Sequence, residues 1–402
     1  MPFFAGLRGT GSFGTDERPK NFREMILFLN PNGSAPLYAL TSKAKTESVD
    51  DPEFNWWEET NDICRLIVNG ALDNNPATVT VVVTAGALQL IPGDLLYVEP
   101  AVEIATVLDE YLRVVSIASD TSFTVKRAVA GSSIAAIGNG LALLRVGNAQ
   151  SEGNLSIASS STNPIKYNNY CQIFKTPYQI TKTALATRFR TGDPKKNEQK
   201  RKSFQHSEKI EQSLMFGRAQ ETVDATNGNL PLRYTMGLRQ WITSNRKVYT
   251  ADPTIASFIA DVSPVFDFES GSAGNERIVF AGNGAMNFLN QLVKTDSSTR
   301  INFDKVVEFY GMRLSRFIMP QGTLYFKTHP LMSRHPVYTN SMFVVNPSGI
   351  IYRPLKGRDT KMEKDIQPND ADYIKDQWLT ECGFEFHFER TFSYIGGFKD
   401  WP

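Results

Sequence analysis

One stretch near the middle of the chain, residues 190–224, limits what the rest can fold into. It reads RTGDPKKNEQKRKSFQHSEKIEQSLMFGRAQETVD. Asp193 suits a helix N-cap, and Pro194 suits the first helical position. No proline follows until Pro231, and Gly217 is the only glycine between Pro194 and Asp224. Glu, Gln, Lys, Arg, Leu and Met dominate, all good helix formers. Asn227 and Gly228 supply a stop. The pattern predicts a helix over 194–224, on the order of 40 Å long at 1.5 Å per residue. That exceeds the average globular helix.

Its apolar residues are sparse: Phe204, Ile210, Leu214, Met215, Phe216, Ala219 and Val223. They form neither one clean stripe nor a heptad, so a self-contained coiled coil is not expected. A helix of this kind lies across a sheet, contacted on part of its surface and charged elsewhere. Its first half carries Lys195, Lys196, Lys200, Arg201 and Lys202 against Glu198. A solvated face is one reading. A face turned toward a polyanion or a partner subunit is the other.

The chain has 402 residues, enough for two or three domains, and its 41% apolar content is ample for a core. A net charge of +1 gives no overall field for nucleic acid or membrane. Any polyanion contact must come from local clusters. The 3 cysteines, Cys64, Cys171 and Cys382, are scattered and form no CxxC, so no zinc site or disulfide framework is indicated. A reducing compartment is the simple inference. No apolar run reaches the roughly 18 residues a membrane span needs. The first residues lack the layout of a secretory signal.

Residues 1–16 read as an extended glycine-rich arm of the kind that gains order on a neighbour. Gly9, Gly11 and Gly14 match G-x-G-x-x-G, but too few residues precede them to make the strand a dinucleotide site needs. Phe22, Met25, Ile26 and Leu29 mark a short amphipathic helix at 19–29. Of the adjacent Trp56 and Trp57, one ring is expected in a core and one at an edge. Residues 77–147 are β-rich, with short runs split by Gly and Asp turns and a hairpin turning at 119–121. They suggest a small barrel or sandwich inserted into a loop. Residues 170–183 read as a strand leading to the long helix. Ile255, Phe258, Ile259 and Val262 give an amphipathic helix that Pro264 ends. Residues 277–294 form a strand–Gly–helix unit with Asn283 as cap. Such a turn can hold phosphate, but the Walker lysine is missing, so packing is the plainer reading. The last hundred residues are mostly strand, with a turn at 346–349. Phe384, Phe386 and Phe388 alternate with Glu385, His387 and Glu389, the mark of a half-buried strand.

No catalytic constellation stands out. The 4 histidines are His206, His329, His335 and His387. His387 between Glu385 and Glu389 could bring three metal ligands to one strand face, but a bare polar face is the plainer reading. H-E-x-x-H, G-x-S-x-G and P-loop motifs are missing. The carboxylates Asp50, Asp51, Asp370 and Asp372 read as loop charge. Neither a cofactor nor a metal is expected. The alternatives to an interaction protein are a soluble DNA-binding protein using the Lys195–Lys202 cluster, and a phosphate-ester hydrolase on the Gly282–Gly284 turn.

Several segments resemble the major capsid proteins of tailed bacteriophages, in one branch of the Hong Kong 97-type fold. They are GTDERPKNFREMILFLNPNGSAPLYAL (14–40), DPEFNWWEE (51–59), NYCQIFKTPYQITKT (169–183) and RTGDPKKNEQKRKSFQHSEKIEQSLMFGR (190–218). VFAGNGAMNFLNQL (279–292), MPQGTLYFKTHPLM (319–332) and NDADYIKDQWLTECGFEFHFE (369–389) complete the set. The resemblance is collinear and covers almost the whole chain. It is weakest over 77–147.

The resemblance implies an α+β chain with a fixed layout. Residues 1–43 would be an N-terminal arm, and 44–180 an extended loop carrying the β module at 77–147. Residues 181–251 would be a peripheral domain with its spine helix at about 194–224. Residues 252–316 would be an axial domain, and 317–402 the C-terminal strands of both. It implies no enzyme, but a subunit of hexamers and pentamers in an icosahedral or prolate shell around packaged double-stranded DNA. That shell would assemble in the host bacterial cytoplasm, away from membranes. A separate scaffolding protein, a portal at one vertex and a decoration protein are the implied partners.

Overall fold

The structure, a computed structural model, describes residues 45–59, 64–74, 77–100, 110–153, 163–189, 192–268, 274–295, 304–309 and 312–398. The expected arm at 1–43, with its glycine motif and its helix at 19–29, lies outside the described residues. Two compact units emerge. One joins Met1–Trp56 to Tyr167–Pro402, and the other is Trp57–Lys166. Paired strands Glu53–Glu58 and Ile165–Tyr170 carry the chain out of the first unit and back. Of the two tryptophans, Trp56 is buried and Trp57 exposed.

Among the described residues the first unit holds a four-stranded sheet, a seven-stranded sheet, a two-stranded hairpin and the long helix. In the four-stranded sheet, Tyr373–Phe386 pairs antiparallel with Gln172–Thr181 along ten registered positions, from Tyr373↔Thr181 to Cys382↔Gln172. Ile350–Pro354 and Lys361–Glu363 pair with the same long strand. The long helix packs on Gln172–Thr181 and Tyr373–Phe386.

That helix runs Pro194–Phe216. It ends short of the 224 expected from propensity. Gly217 donates its N–H to Ser213 O at 2.8 Å and then leaves helical geometry at ψ 155°. Gly237 donates to Gly217 O at 3.0 Å, pinning the end. A Cβ on Gly217 would meet Ser213 O and Thr235 O at 2.5 Å. Residues beyond turn into strand Gln220–Asp224, antiparallel to Leu230–Tyr234. Tertiary pairing of the β-branched Thr222 and Val223 overrides the helix preference of Gln220 and Glu221.

The seven-stranded sheet has the spatial order Arg246–Val248, Ser393–Gly396, Met342–Val345, Glu276–Ala281, Thr323–Thr328, Met312–Ile318, Asp304–Phe309. Its central strand is buried on both faces, and period two divides its side chains between two cores. Ile278 and Phe280 join Ile210, Leu214 and Met215 of the long helix. Val279 and Ala281 join Ala285, Phe288 and Leu289 of helix Asn283–Thr295, and Phe258 and Val262 of helix Ile255–Val262. The expected strand–Gly–helix unit is therefore present, although Asn283 is the first helical residue rather than the cap.

The C-terminal strand departs from a half-buried alternation. Tyr373–Phe386 is buried on both faces from Leu379 onward, Glu385 included. The strand stops at Phe386, and Phe388 takes φ 59° and is left exposed. The expected turn at 346–349 lies between strands Met342–Val345 and Ile350–Pro354. It passes the chain from one sheet to the other.

The second unit is a six-stranded antiparallel sheet: Arg65–Ile67, Ala142–Asn148, Asp94–Val98, Tyr111–Ser119, Ser122–Lys126, Thr78–Val82. A Val68–Val83 bridge joins its two ends, with Asn69 N–H donating to Val82 O at 2.8 Å. The sheet is thus a closed small barrel, filled by Leu66, Val81, Leu96, Leu112, Phe123 and Leu143. It recruits a strand at 65–67, before the β-rich run at 77–147. Closure explains that strand: without it the sheet would keep two open edges.

Candidate functional site

The basic start of the long helix divides into residues with different surroundings. Lys195 reaches inward, with Nζ 3.2 Å from Asp376 Oδ2. Asp376 is fully buried and also accepts from the Tyr178 hydroxyl at 2.7 Å and the Asp365 amide at 2.9 Å. Burial opposes its charge, but these three donors outweigh burial and hold the carboxyl below the ordinary Asp range. Lys195 is thus part of the fold. Arg201 pairs with Glu198 one turn away at 2.6 Å, and Lys202 donates to Gln205 Oε1 at 3.1 Å.

Lys196 and Lys200 are exposed and border a groove with Phe204 and Trp378. The Trp378 indole N–H donates to Gln199 O at 3.4 Å, which fixes the ring against the helix. The cluster therefore surrounds a partly apolar surface, and periodicity gave no sign of this because Trp378 comes from the sheet.

The other half of the helix carries buried polar groups that sequence reading missed. His206 sits between Thr176 Oγ1 at 3.1 Å and Thr380 Oγ1 at 2.7 Å. Burial, helped by Lys209, pushes its pKa down to about 4. Glu211 Oε1 lies 2.5 Å from His329 Nε2.

The three residues considered as metal ligands do not converge. Glu385 accepts from Arg353 Nε at 2.5 Å and lies 2.6 Å from His387 Nε2. Burial opposes its charge, yet His387 and Arg353 hold its pKa below the usual Glu value. Glu389 turns away to accept the N–H groups of Thr243 and Ser244 at 2.6 and 2.7 Å. Among the described residues no group of three or more His, Cys, Asp or Glu could hold a metal ion. At the Gly282–Gly284 turn, the helix amides of Asn283 and Gly284 already donate to Ser333 Oγ and Thr339 Oγ1, each at 3.2 Å. A Cβ at Gly282 would strike the Thr339 backbone, so this glycine permits close packing.

Comparison with known proteins shows which family the chain belongs to. The SU10 major capsid protein family matches residues 8–399. The chain belongs to that family. It is 25% identical over 372 residues to the major capsid protein of Pseudomonas phage PaMx41, covering 90% of this chain and 85% of that protein. It is also similar to the solved Cyanophage A-1(L) capsid asymmetric unit, at TM-score 0.48 and 12% identity over 96% of this chain and 99% of that one. For Microbacterium phage Oxtober96 the values are TM-score 0.47 and 11% identity, over 95% and 96%. This is the major capsid protein of a tailed bacteriophage, a component of the virion shell that assembles with its own copies. Among the described residues, no helix is long and apolar enough to cross a membrane.

Proposed function

We propose that this capsid protein assembles as hexamers and pentamers into an icosahedral or prolate head that encloses packaged double-stranded DNA, and that it catalyses no reaction. The family match from residue 8 to residue 399 carries this reading. In it, residues 1–43 are the arm and 44–180 the extended loop that includes the β barrel. Residues 181–251 are the peripheral domain, 252–316 the axial domain, and 317–402 the strands that return to both. A scaffolding protein, a portal and a decoration protein are its partners, and assembly takes place in the host bacterial cytoplasm.

The near-neutral charge of +1 supports a shell that holds DNA without gripping it. Tight phosphate binding would be steeply salt-dependent and would hinder release. Within the basic cluster, Lys195 serves Asp376, whereas Lys196, Lys200, Arg201 and Lys202 face the lumen or a neighbouring subunit. The apolar floor between Lys196 and Lys200 favours the subunit. Negative-stain microscopy of the purified protein tests the whole reading. Closed shells support it; a compact monomer with salt-sensitive DNA affinity overturns it. Reversing the charges of Lys200, Arg201 and Lys202 tests the cluster. Unchanged assembly and packaging would remove both roles.

A further inference from the structure

The hairpin after the long helix leaves apolar side chains uncovered. Its register places Leu230, Leu232 and Tyr234 on one face, opposite Asp224, Thr222 and Gln220. These three apolar residues are 57%, 40% and 39% exposed. The hairpin pairs with no third strand among the described residues. Two strands alone are marginally stable in water, and an apolar stripe on them calls for a cover.

A complementary surface lies toward the other end of the same helix. There Phe204 and Trp378 floor a groove of about 480 Å³ bordered by Lys196 and Lys200. The hairpin is apolar and slightly acidic, with Glu221 and Asp224 against Arg233. The groove is apolar and basic. Within one chain the two do not meet, since the stripe remains exposed.

We propose that the hairpin of one copy docks in this groove on a neighbouring copy. Leu230, Leu232 and Tyr234 cover Phe204 and Trp378, and Asp224 approaches Lys196 or Lys200. The contact is heterologous, running from the end of one helix to the start of the next. A heterologous contact closes into a ring when its rotation permits. The proposal rests on the reading that the chain assembles with its own copies. It gives the lysines a carboxylate partner rather than a phosphate.

The test uses particles assembled from equal parts of ordinary and ¹⁵N-labelled protein. A zero-length carbodiimide couples amines to nearby carboxylates, and mass spectrometry identifies the joined peptides. Mixed-isotope links from Lys196 or Lys200 to Asp224 are the expected result. Shells in which these lysines show no such link overturn the docking, whether they contact DNA or another segment. A second measurement uses Leu232→Lys, which should abolish shell formation while the near-UV circular dichroism of the subunit stays unchanged. Wild-type yields of shells from this variant also overturn it. A wild-type protein that forms no shell even with its scaffolding protein present removes the assembly reading, and the docking with it; shells lacking the link remove the docking alone.

Discussion

Glu211 Oε1 and His329 Nε2 lie 2.5 Å apart, and neither side chain has any exposed surface. Glu211 belongs to the long helix, and His329 follows strand Thr323–Thr328 of the seven-stranded sheet. His329 also accepts the Met332 N–H at 3.5 Å, capping the short helix Pro330–Ser333. The pair thus fixes where along its length the helix meets that sheet. An apolar contact could slide by a turn at little cost, but a buried polar pair has one register.

Removing one partner would leave the other buried without its main contact. Glu211→Ala should lower the subunit's unfolding free energy by about 3–5 kcal/mol. The Glu211→Ala, His329→Ala double variant should lose less than the sum of the two single losses. Urea denaturation of unassembled subunits measures all three.

His206 makes stability depend on pH. Its folded pKa of about 4 lies below the ordinary 6.5, because burial disfavours the imidazolium. As pH falls, the unfolded chain binds this proton first. The stability from this site is full above 6.5 and is lost as pH falls toward 4. His206→Gln should flatten the stability profile across that window relative to wild type. Urea midpoints at about pH 7 and about pH 4.5 bracket the window and reveal the difference.

The end of the long helix depends on Gly217. Gly217→Ala forces a Cβ against two carbonyl oxygens that belong to the helix and to the strand returning from the hairpin. Backbone must shift, at a cost of about 1–3 kcal/mol. The expected outcome is a thermal midpoint lowered by several degrees, with Gly237→Ala behaving alike because its Cβ meets Gly217 N at 2.5 Å. An equal midpoint in scanning calorimetry would refute the account.

In the barrel, Arg127 is held by Glu110 through Nε–Oε1 at 2.8 Å and Nη2–Oε2 at 2.6 Å, both side chains buried. It also donates to the carbonyls of Asp73 and Ala135. Arg127→Ala strands the Glu110 carboxylate and should destabilise this unit by about 3–5 kcal/mol. Arg127→Lys should rescue little, since an ammonium cannot reproduce the planar fork. Limited proteolysis, read as new cleavages within Trp57–Lys166, distinguishes the variants.

Where one element's own residues carry the pattern, the sequence was readable. The run RIVF at 277–280 and the stripe Ala285, Phe288 and Leu289 after it are enough by themselves to mark a strand and a helix. The turn at 119–121 marked its hairpin, and the match from 14 to 389 pointed to the capsid family. Less of the candidate site could be read. Lys195 looked like one more surface charge beside Lys196, because its partner Asp376 is far away in sequence. The groove was invisible because Trp378 comes from a strand and Phe204 from the helix.

The chain's local chemistry determined that a long polar helix starts at Asp193 and Pro194, where a capping carboxylate and a fixed φ act over a few residues. Only the tertiary structure decided where it stops. Propensity favours continuing through Gln220 and Glu221, but the peptide groups of Thr235 and Gly237 close on Gly217 and leave no room for another helical turn. Those groups return from the far side of a hairpin. Contacts made through space have no fixed spacing along the chain, so no local pattern announces them.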